Sequence, residues 1–249
     1  MKKIIKYLFL LTGGSFILAS CNDFLDREPL DSVTPDNFFF TENDLAAYAV
    51  KHYNFTTHEG FNAGIWRNDN ATDNQAATDY DKKWIPGQWK VPEAYDNPAS
   101  NDPWYFSAIR EANYFLETVV PRFEKGEIEG SETNIKHYIG EMYFLRAKNY
   151  LSKLETFGDF PIIKNTLPDE SASLIQASKR EPRHKVARFI LEDLDLAIGL
   201  LTNTISGGKN RITQNAALLL KSRAALYEAS WLTYHKGTAL VPGGPGWPG

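Results

Sequence analysis

Apolar residues recur every three or four positions in several stretches of the sequence, which is the spacing of one buried face on an α-helix. Thr41 followed by Asp44 predicts the start of a first helix that ends near Phe55. Further helices are predicted to begin at Asp102 with Pro103, at Ser131, at Pro182 and at Thr213. Their buried faces are predicted to carry Leu45, Tyr48, Ile109, Ala112, Leu116, Ile135, Ile139, Met142, Val186, Ile190, Leu194, Ala217, Leu220 and Ala224.

The later helices are predicted to form two hairpins. Their starts recur at intervals of about 30 residues, which approaches the period of tetratricopeptide-like repeats, although the signature residues of that repeat do not match. Gly158 occupies a position where glycine commonly ends a helix. The apolar residues 160–163 that follow are compatible with either a strand or an extended connector. The pattern therefore predicts a mostly α-helical protein built from repeat-like hairpins.

Two segments interrupt this pattern. Residues 56–101 are rich in Asn, Asp, Gly and Trp and lack any sustained period, which predicts a long irregular loop of the kind that often carries function. Residues 237–249 contain five Gly and three Pro and offer no apolar face to bury. We expect them to be a disordered tail, or to mark a point where the chain stops within its domain. The chain is predicted to consist of four parts, which are an N-terminal leader (1–20), an arm (21–40), a helical domain (41–236) and a Gly/Pro-rich tail (237–249).

Residues 1–20 are typical of a bacterial lipoprotein signal peptide. Three lysines precede an apolar run that is too short to cross a bilayer but suits secretion. Ala19 and Ser20 then precede Cys21, a sequence that resembles a lipobox and predicts lipid attachment to the Cys21 thiol. Cys21 is the only cysteine, so it cannot form a disulfide within the chain. An ordinary cleaved signal peptide and an uncleaved anchor helix are the alternatives.

Charge excludes one class of partner. The 249 residues carry a formal net charge of −4, and removal of the signal segment with its three lysines makes the mature chain more acidic. Such a chain lacks the positive surface that nucleic acids require, so no nucleic-acid partner is expected. The length is sufficient for one or two domains with a sizeable core.

Several segments carry a family resemblance. They are residues 21–26 (CNDFLD), 109–113 (IREAN), 115–117 (FLE), 141–147 (EMYFLRA) leading to 157–161 (FGDFP), and the stretch from Arg211 through Lys221, Arg223 and Tyr227 to Ser230. In this order they resemble the SusD/RagB outer-membrane nutrient-uptake lipoproteins of Bacteroidetes. Members of that family are much longer, and the resemblance covers only their N-terminal half.

The resemblance implies a function in binding rather than catalysis. A family member sits at the cell surface, attached to the outer membrane by its lipid, and passes oligosaccharides or other nutrients to a TonB-dependent, SusC-like transporter. No cofactor is implied. The alternatives are a helical-repeat scaffold that binds proteins, a surface glycoside hydrolase with two carboxylates beside a cleft, and a truncated fragment without function. Starch, other glycans and peptides all remain open as ligands.

Sugar binding in water uses aromatic rings against the apolar faces of pyranose rings, with amides and carboxylates bonded to the hydroxyls. The loop 56–101 offers such groups and corresponds in position to a ligand-contacting region of starch-binding family members. The candidate ligand contacts are Trp66, Asn68, Asp73, Trp84 and Trp89. Alternatively, these tryptophans hold the loop against the helices and the polar residues form turns.

Arg146 and Arg223 each interrupt an apolar helical face. A buried guanidinium needs a carboxylate partner, so we expect structural ion pairs in which Glu111 or Glu141 is the partner. A ligand clamp is the alternative. Glu192 and Asp195 lie away from the apolar face of their helix and are expected to be solvated.

No metal site is expected. The histidines lack the spacing of zinc ligands, and a lipidated Cys21 is not available as a ligand. A calcium site formed by Asp69, Asn70 and Asp73 remains an alternative, although its spacing departs from that of an EF-hand. The glycine pattern at Gly244, Gly246 and Gly249 matches a dinucleotide-binding motif by letter but lacks the strand before it and the helix after it.

Overall fold

The described residues form helices joined by connectors of varied length. The computed structural model describes residues 38–53, 55, 103–204 and 210–247, and predictions that fall elsewhere lie outside it. From Phe39 onward these residues belong to one compact unit. The helices are α1 (Glu42–Lys51), α2 (Ser107–Lys125), α3 (Glu132–Phe157), α4 (Ser171–Ala177), α5 (Arg183–Leu200) and α6 (Gln214–Tyr234).

Helix α3 is the centre of the packing. It contacts α1, α2 and α5, and α5 in turn packs against α6. Because α3 has neighbours on several sides, its buried residues lie all around the helix rather than along one stripe. The predicted apolar faces of α2 and α5 are buried where they were expected. The prediction of a mostly α-helical fold is therefore confirmed.

Most predicted helix starts are confirmed as N-caps. The Thr41 hydroxyl accepts a hydrogen bond from Asp44 N, and Asp44 Oδ2 accepts one from Thr41 N at 3.0 Å, which completes a capping box. Thr213 caps α6 through a bond from Ala216 N. Ser131 occupies the N-cap position of α3, but its side chain makes no capping bond. Gly158 ends α3 with a positive φ of 74°, the region that favours glycine.

The cap at Thr41 yields a first prediction. Thr41→Ala is expected to lower the free energy of unfolding by about 1 kcal/mol, because it removes the side-chain hydroxyl that accepts from the Asp44 amide. Ser131→Ala is the matched control, since it removes an N-cap hydroxyl that makes no such bond. Urea denaturation monitored by circular dichroism measures both. Equal losses in the two variants would contradict the role assigned to the Thr41 hydroxyl.

The predicted start of α2 is wrong. Pro103 and Trp104 lie in a turn, and the helix begins at Ser107 with Phe106 in the N-cap position. The rings of Trp104 and Phe106 pack against Phe157 and Phe160, with centroid distances of 4.0 Å for Trp104–Phe157 and 5.0 Å for Phe106–Phe160. Packing of these rings against one another thus overrides the local preference of Asp-Pro for a helix start.

Residues 160–163 are an extended connector. Phe160 makes an isolated antiparallel bridge to Glu181, and the rest follows the surface of α2 and α3. The connector continues into α4, a short helix without buried residues that the sequence pattern did not predict.

The prediction of a disordered C-terminal segment is wrong for residues 237–247. Consecutive turns are closed by backbone bonds from Thr238, Gly244 and Trp247 to carbonyls three residues earlier. Val241 is buried, and the Trp231 indole donates to the Leu240 carbonyl at 3.3 Å. Glycine and proline therefore form a sequence of turns here, which needs no apolar stripe.

Candidate ligand-binding cleft

The connector, which leads from the end of α3 to α4, is held in place by side chains of α2 and α3. The Tyr150 hydroxyl donates to the Ile163 carbonyl at 3.1 Å and accepts from Ile163 N at 2.8 Å. Burial raises the pKa of Tyr150 to about 12, so the hydroxyl keeps the proton that it donates. The Asn113 amide donates to the carbonyls of Ile163 at 2.8 Å and Asn165 at 3.3 Å. These bonds fix the backbone of the connector.

An ion pair lies beneath these bonds. Arg146 of α3 and Asp193 of α5 form two parallel bonds of 2.7 Å, Nε to Oδ2 and Nη2 to Oδ1. The remaining nitrogen, Nη1, donates to Asn113 Oδ1 at 2.9 Å and to the Lys164 carbonyl at 3.2 Å. Arg146 is 6% exposed and Asp193 is 2% exposed. Burial raises the pKa of Asp193, while the bonds and charge of Arg146 oppose that shift.

The connector forms one wall of a cleft of about 350 Å³, within the range typical of small-ligand sites. Residues before and at the start of α2 form the opposite wall, and α4 closes one side. The lining residues are Trp104, Phe106, Ile109, Arg110, Asn113, Pro161, Ile163, Asn165, Leu167, Leu174 and Ser178. Since most of these side chains are apolar, the cleft can accept the apolar face of a small ligand.

Exposed polar side chains lie at the rim of the cleft. Arg110 and Asn165 are both exposed, and they offer a guanidinium and an amide for hydrogen bonds to hydroxyl groups. Among the described residues that line the cleft, there is no pair of carboxylates of the kind that glycoside hydrolysis uses. In the described parts of the chain, no group of three or more His, Cys, Asp or Glu could hold a metal ion.

The aromatic and polar residues predicted as ligand contacts lie outside the described residues. This applies to Trp66, Asn68, Asp73, Trp84 and Trp89, to the alternative calcium ligands Asp69 and Asn70, and to Cys21. They remain predictions. The cleft residues were not singled out from the sequence, because connector and helix start approach each other only in the fold.

The predicted carboxylate partners of the arginines are wrong. Arg146 pairs with Asp193, while Glu111 lies 3.3 Å from His52 Nδ1 and Glu141 pairs with Arg211. One signal in the sequence pointed to Asp193: it is the acidic residue on the apolar face of α5, whereas Glu192 and Asp195 are exposed as expected.

Arg223 is exposed on α6, so the expectation of a buried guanidinium is wrong there. Arg223 lines an open groove between α6 and α3, whereas Arg146 lies on α3, which contacts several other helices. A charge on an apolar stripe is thus buried only where a neighbouring element covers it.

Glu141 is the centre of a second buried network. It accepts bonds from Arg211 through Nε at 2.8 Å and through Nη2, and from the Tyr53 hydroxyl at 2.6 Å. His137 Nε2 lies 3.1 Å from the same carboxylate, and Arg211 Nη1 donates to the Ala46 carbonyl at 3.3 Å. Burial and the nearby Glu141 carboxylate raise the pKa of Tyr53. The network joins α1, α3 and the segment before α6.

Comparison with known proteins decides the family. Residues 23–226 match the SusD-like family model that is described as starch-binding associating with outer membrane. The chain belongs to the SusD-like family. The resemblance seen in the sequence is thereby confirmed. None of the described helices is both long and apolar enough to cross a membrane.

Curated relatives come from Formosa agariphila. SusD-like protein P2 is 27% identical over 219 residues, which is 86% of this chain and 40% of the relative. SusD-like protein P38 is 28% identical over 203 residues, which is 80% of this chain and 37% of the relative. The chain therefore spans about two fifths of the length of these relatives.

Solved SusD-like structures share the fold. A SusD-like protein from Bacteroides fragilis superposes with a TM-score of 0.60 at 25% identity, over 82% of this chain and 38% of the other. A second one from the same species, named a SusD-like carbohydrate-binding protein, gives a TM-score of 0.57 at 18% identity, over 78% and 39%. The second likeness concerns the fold alone.

The segments that resemble the family in sequence are largely structural here. Asn113, in segment 109–113, belongs to the network beneath the connector. Glu141 and Arg146, in segment 141–147, are the centres of the two buried networks. Asp159 Oδ1 accepts a bond from Arg183 N at the start of α5. These segments also contribute Ile109, Arg110, Asn113 and Pro161 to the lining of the cleft.

Proposed function

We propose that this protein is an outer-membrane lipoprotein of the SusD-like family that binds oligosaccharides at the cell surface. It delivers them to a TonB-dependent, SusC-like transporter and performs no chemistry on them. The observation that carries the proposal is the family match over residues 23–226, since that family is described as starch-binding and associated with the outer membrane. Lipid on Cys21 is the proposed anchor.

The cleft supplies a binding surface of suitable chemistry. A pyranose ring has apolar faces and a periphery of hydroxyl groups. The apolar walls between α2 and the connector match the faces, and the Arg110 and Asn165 side chains at the rim match the hydroxyls. The bonds from Asn113 and Tyr150 fix one wall beforehand, which lowers the entropic cost of binding.

The loop 56–101 is proposed to add further contacts. Trp66, Trp84 and Trp89 would stack on sugar rings, while Asn68 and Asp73 would bond hydroxyls. With these loop contacts added, the cleft would be one subsite of a longer binding surface. Starch oligosaccharides are the first ligands to test because of the family description.

The rim of the cleft offers the sharpest test. Arg110→Ala with Asn165→Ala is expected to weaken binding of maltoheptaose about 5- to 150-fold, because each of the two lost hydrogen bonds contributes roughly 0.5–1.5 kcal/mol. Both side chains are exposed, so the thermal unfolding midpoint should stay unchanged. Isothermal titration calorimetry on the full chain measures the affinity.

Arg188→Ala is the matched control, since Arg188 is an exposed arginine on α5 that does not line the cleft. It should bind like the unmodified chain. Where maltoheptaose fails to bind, a panel of other oligosaccharides replaces it. An absence of binding to every glycan in the panel contradicts the proposed function, and turnover of any of them contradicts the statement that the protein performs no chemistry.

A further inference from the structure

A second hollow follows the cleft along α2. Ile109 and Asn113 line the cleft, and Leu116 and Val120 line the hollow, which has a volume of about 400 Å³ and which we call the α2 hollow. Spacings of four, three and four place these residues on one side of α2, so the two cavities are consecutive along the helix. From Ile109 to Val120 the helix axis covers about 16 Å, which is longer than a single sugar ring.

Asn165 connects the two cavities. It is exposed and lines both the cleft and the α2 hollow. Its carbonyl accepts from the Asn113 amide at 3.3 Å, and the next residue, Thr166, donates to Glu117 through its backbone N at 2.8 Å and also through its hydroxyl. The backbone of Asn165 is therefore held on both sides. Its amide side chain offers donors and an acceptor to a ligand that passes from one cavity to the other.

The lining of the α2 hollow suits a sugar. Leu116, Val120, Pro121 and Tyr143 supply apolar surface, and the exposed Lys164 supplies an ammonium with three donors. Burial raises the pKa of Tyr143, so its hydroxyl stays protonated and can also donate. Apolar surface with a few polar groups matches the faces and the hydroxyls of a pyranose ring.

One buried network supports both cavities. Arg146 lines the α2 hollow, pairs with Asp193 and donates to Asn113 in the lining of the cleft. It also donates to the Lys164 carbonyl at 3.2 Å. Because these bonds join α2, α3, α5 and the connector, both cavities are formed before a ligand arrives, which lowers the entropic cost of binding.

We infer that the α2 hollow is a second sugar subsite. An oligosaccharide runs from the cleft past Asn165 into the hollow, where Lys164 donates to its hydroxyl groups. The inference rests on the proposed function, since it requires that the cleft binds sugar. It adds a dependence on ligand length, because a disaccharide is too short to occupy both cavities and a heptasaccharide is long enough.

Lys164→Ala in the full chain tests the inference. The affinity for maltoheptaose is expected to fall about 2- to 12-fold, which is the effect of one lost hydrogen bond, while the affinity for maltose stays unchanged. Arg110→Ala, which alters the cleft alone, is expected to weaken binding of both sugars. Isothermal titration calorimetry measures the affinities. The thermal unfolding midpoint of Lys164→Ala should stay unchanged, because Lys164 is exposed.

Lys125→Ala is the matched control, since Lys125 is an exposed lysine at the end of α2 that lines neither cavity. It should bind both sugars like the unmodified chain. Val120→Phe is a second variant, in which the larger side chain fills the α2 hollow. It should weaken binding of maltoheptaose at least as much as Lys164→Ala does. Where a different glycan of the panel binds instead, that glycan and its disaccharide replace the two sugars.

Two results overturn the inference and leave the proposed function standing. One is maltoheptaose binding that is unchanged in Lys164→Ala and Val120→Phe but weakened in Arg110→Ala. The other is an equal loss of maltose and maltoheptaose binding in Lys164→Ala, which would assign Lys164 to the cleft itself. An absence of binding to every glycan contradicts the proposed function and the inference together.

Discussion

Replacement of Arg146 by alanine is expected to lower the free energy of unfolding by about 3–5 kcal/mol, because it leaves Asp193 as an unpaired carboxylate in the interior. The variant also removes the donor to Asn113 Oδ1 and to the Lys164 carbonyl, so the connector that forms the cleft wall loses its support. Such a loss is a large part of the 5–15 kcal/mol that stabilises a typical domain. Urea denaturation at pH 7 measures it.

The loss should depend on pH. Without Arg146, burial of Asp193 is opposed only by the charge of Lys164, so the pKa of Asp193 in the folded state rises further above the value of about 3.9 in the unfolded chain. The folded state then binds a proton that the unfolded state has released. Destabilisation by Arg146→Ala therefore grows as the pH rises from about 4 towards 7 and is smallest in acid.

Arg223→Ala is the matched control for Arg146→Ala. Arg223 also lies on a helix near apolar residues but is exposed, so its removal should change the free energy of unfolding by less than about 0.5 kcal/mol. The double variant Arg146→Met with Asp193→Leu should recover much of the loss, since it removes both buried charges. A loss below 1 kcal/mol for Arg146→Ala would show that the ion pair is unimportant for stability.

Glu141→Ala is expected to have a loss of similar size, about 3–5 kcal/mol, because Arg211 would keep its charge in a largely buried position without a partner. The Tyr53 hydroxyl would lose its acceptor at the same time, so α1 would separate from α3 more readily. Thermal unfolding followed by circular dichroism measures the loss, and hydrogen exchange of the α1 amides measures the local effect.

Glu155→Ala is the control for Glu141→Ala, because Glu155 is an exposed carboxylate on the same helix. Its unfolding midpoint should match that of the unmodified chain. Protection of the α1 amides that stays unchanged in Glu141→Ala would contradict the assigned link between α1 and α3, even where the global stability falls.

The helices could be predicted from local sequence. A helix buries one side, so Ile190, Leu194 and Ala197 recur at the helical period and identify α5 without any knowledge of its neighbours. Capping residues act within a few positions, which is why Thr41 and Thr213 identified two starts. The start of α2 was missed because its determinant, the packing of Trp104 on Phe157, joins residues far apart in the chain.

The candidate cleft could not be predicted from the sequence. Phe106 and Asn165 line the same cleft although the whole of α3 separates them in sequence. The turns at residues 237–247 were also missed, since their order depends on the contact of Trp231 with Leu240. Each of these features depends on how segments meet, and periodicity carries no information about that.

The sequence by itself determined the family, the helical class and the positions of most helices. Short-range backbone preferences and one-sided burial produce a periodic pattern of apolar residues and recognisable capping residues. It also identified Arg146 as a charge in need of a carboxylate. Only the tertiary structure decided that the carboxylate is Asp193, that Glu141 pairs with Arg211, and that Arg223 is exposed. Ion pairs act over a few ångströms between side chains of any sequence separation, so the fold decides which charges meet.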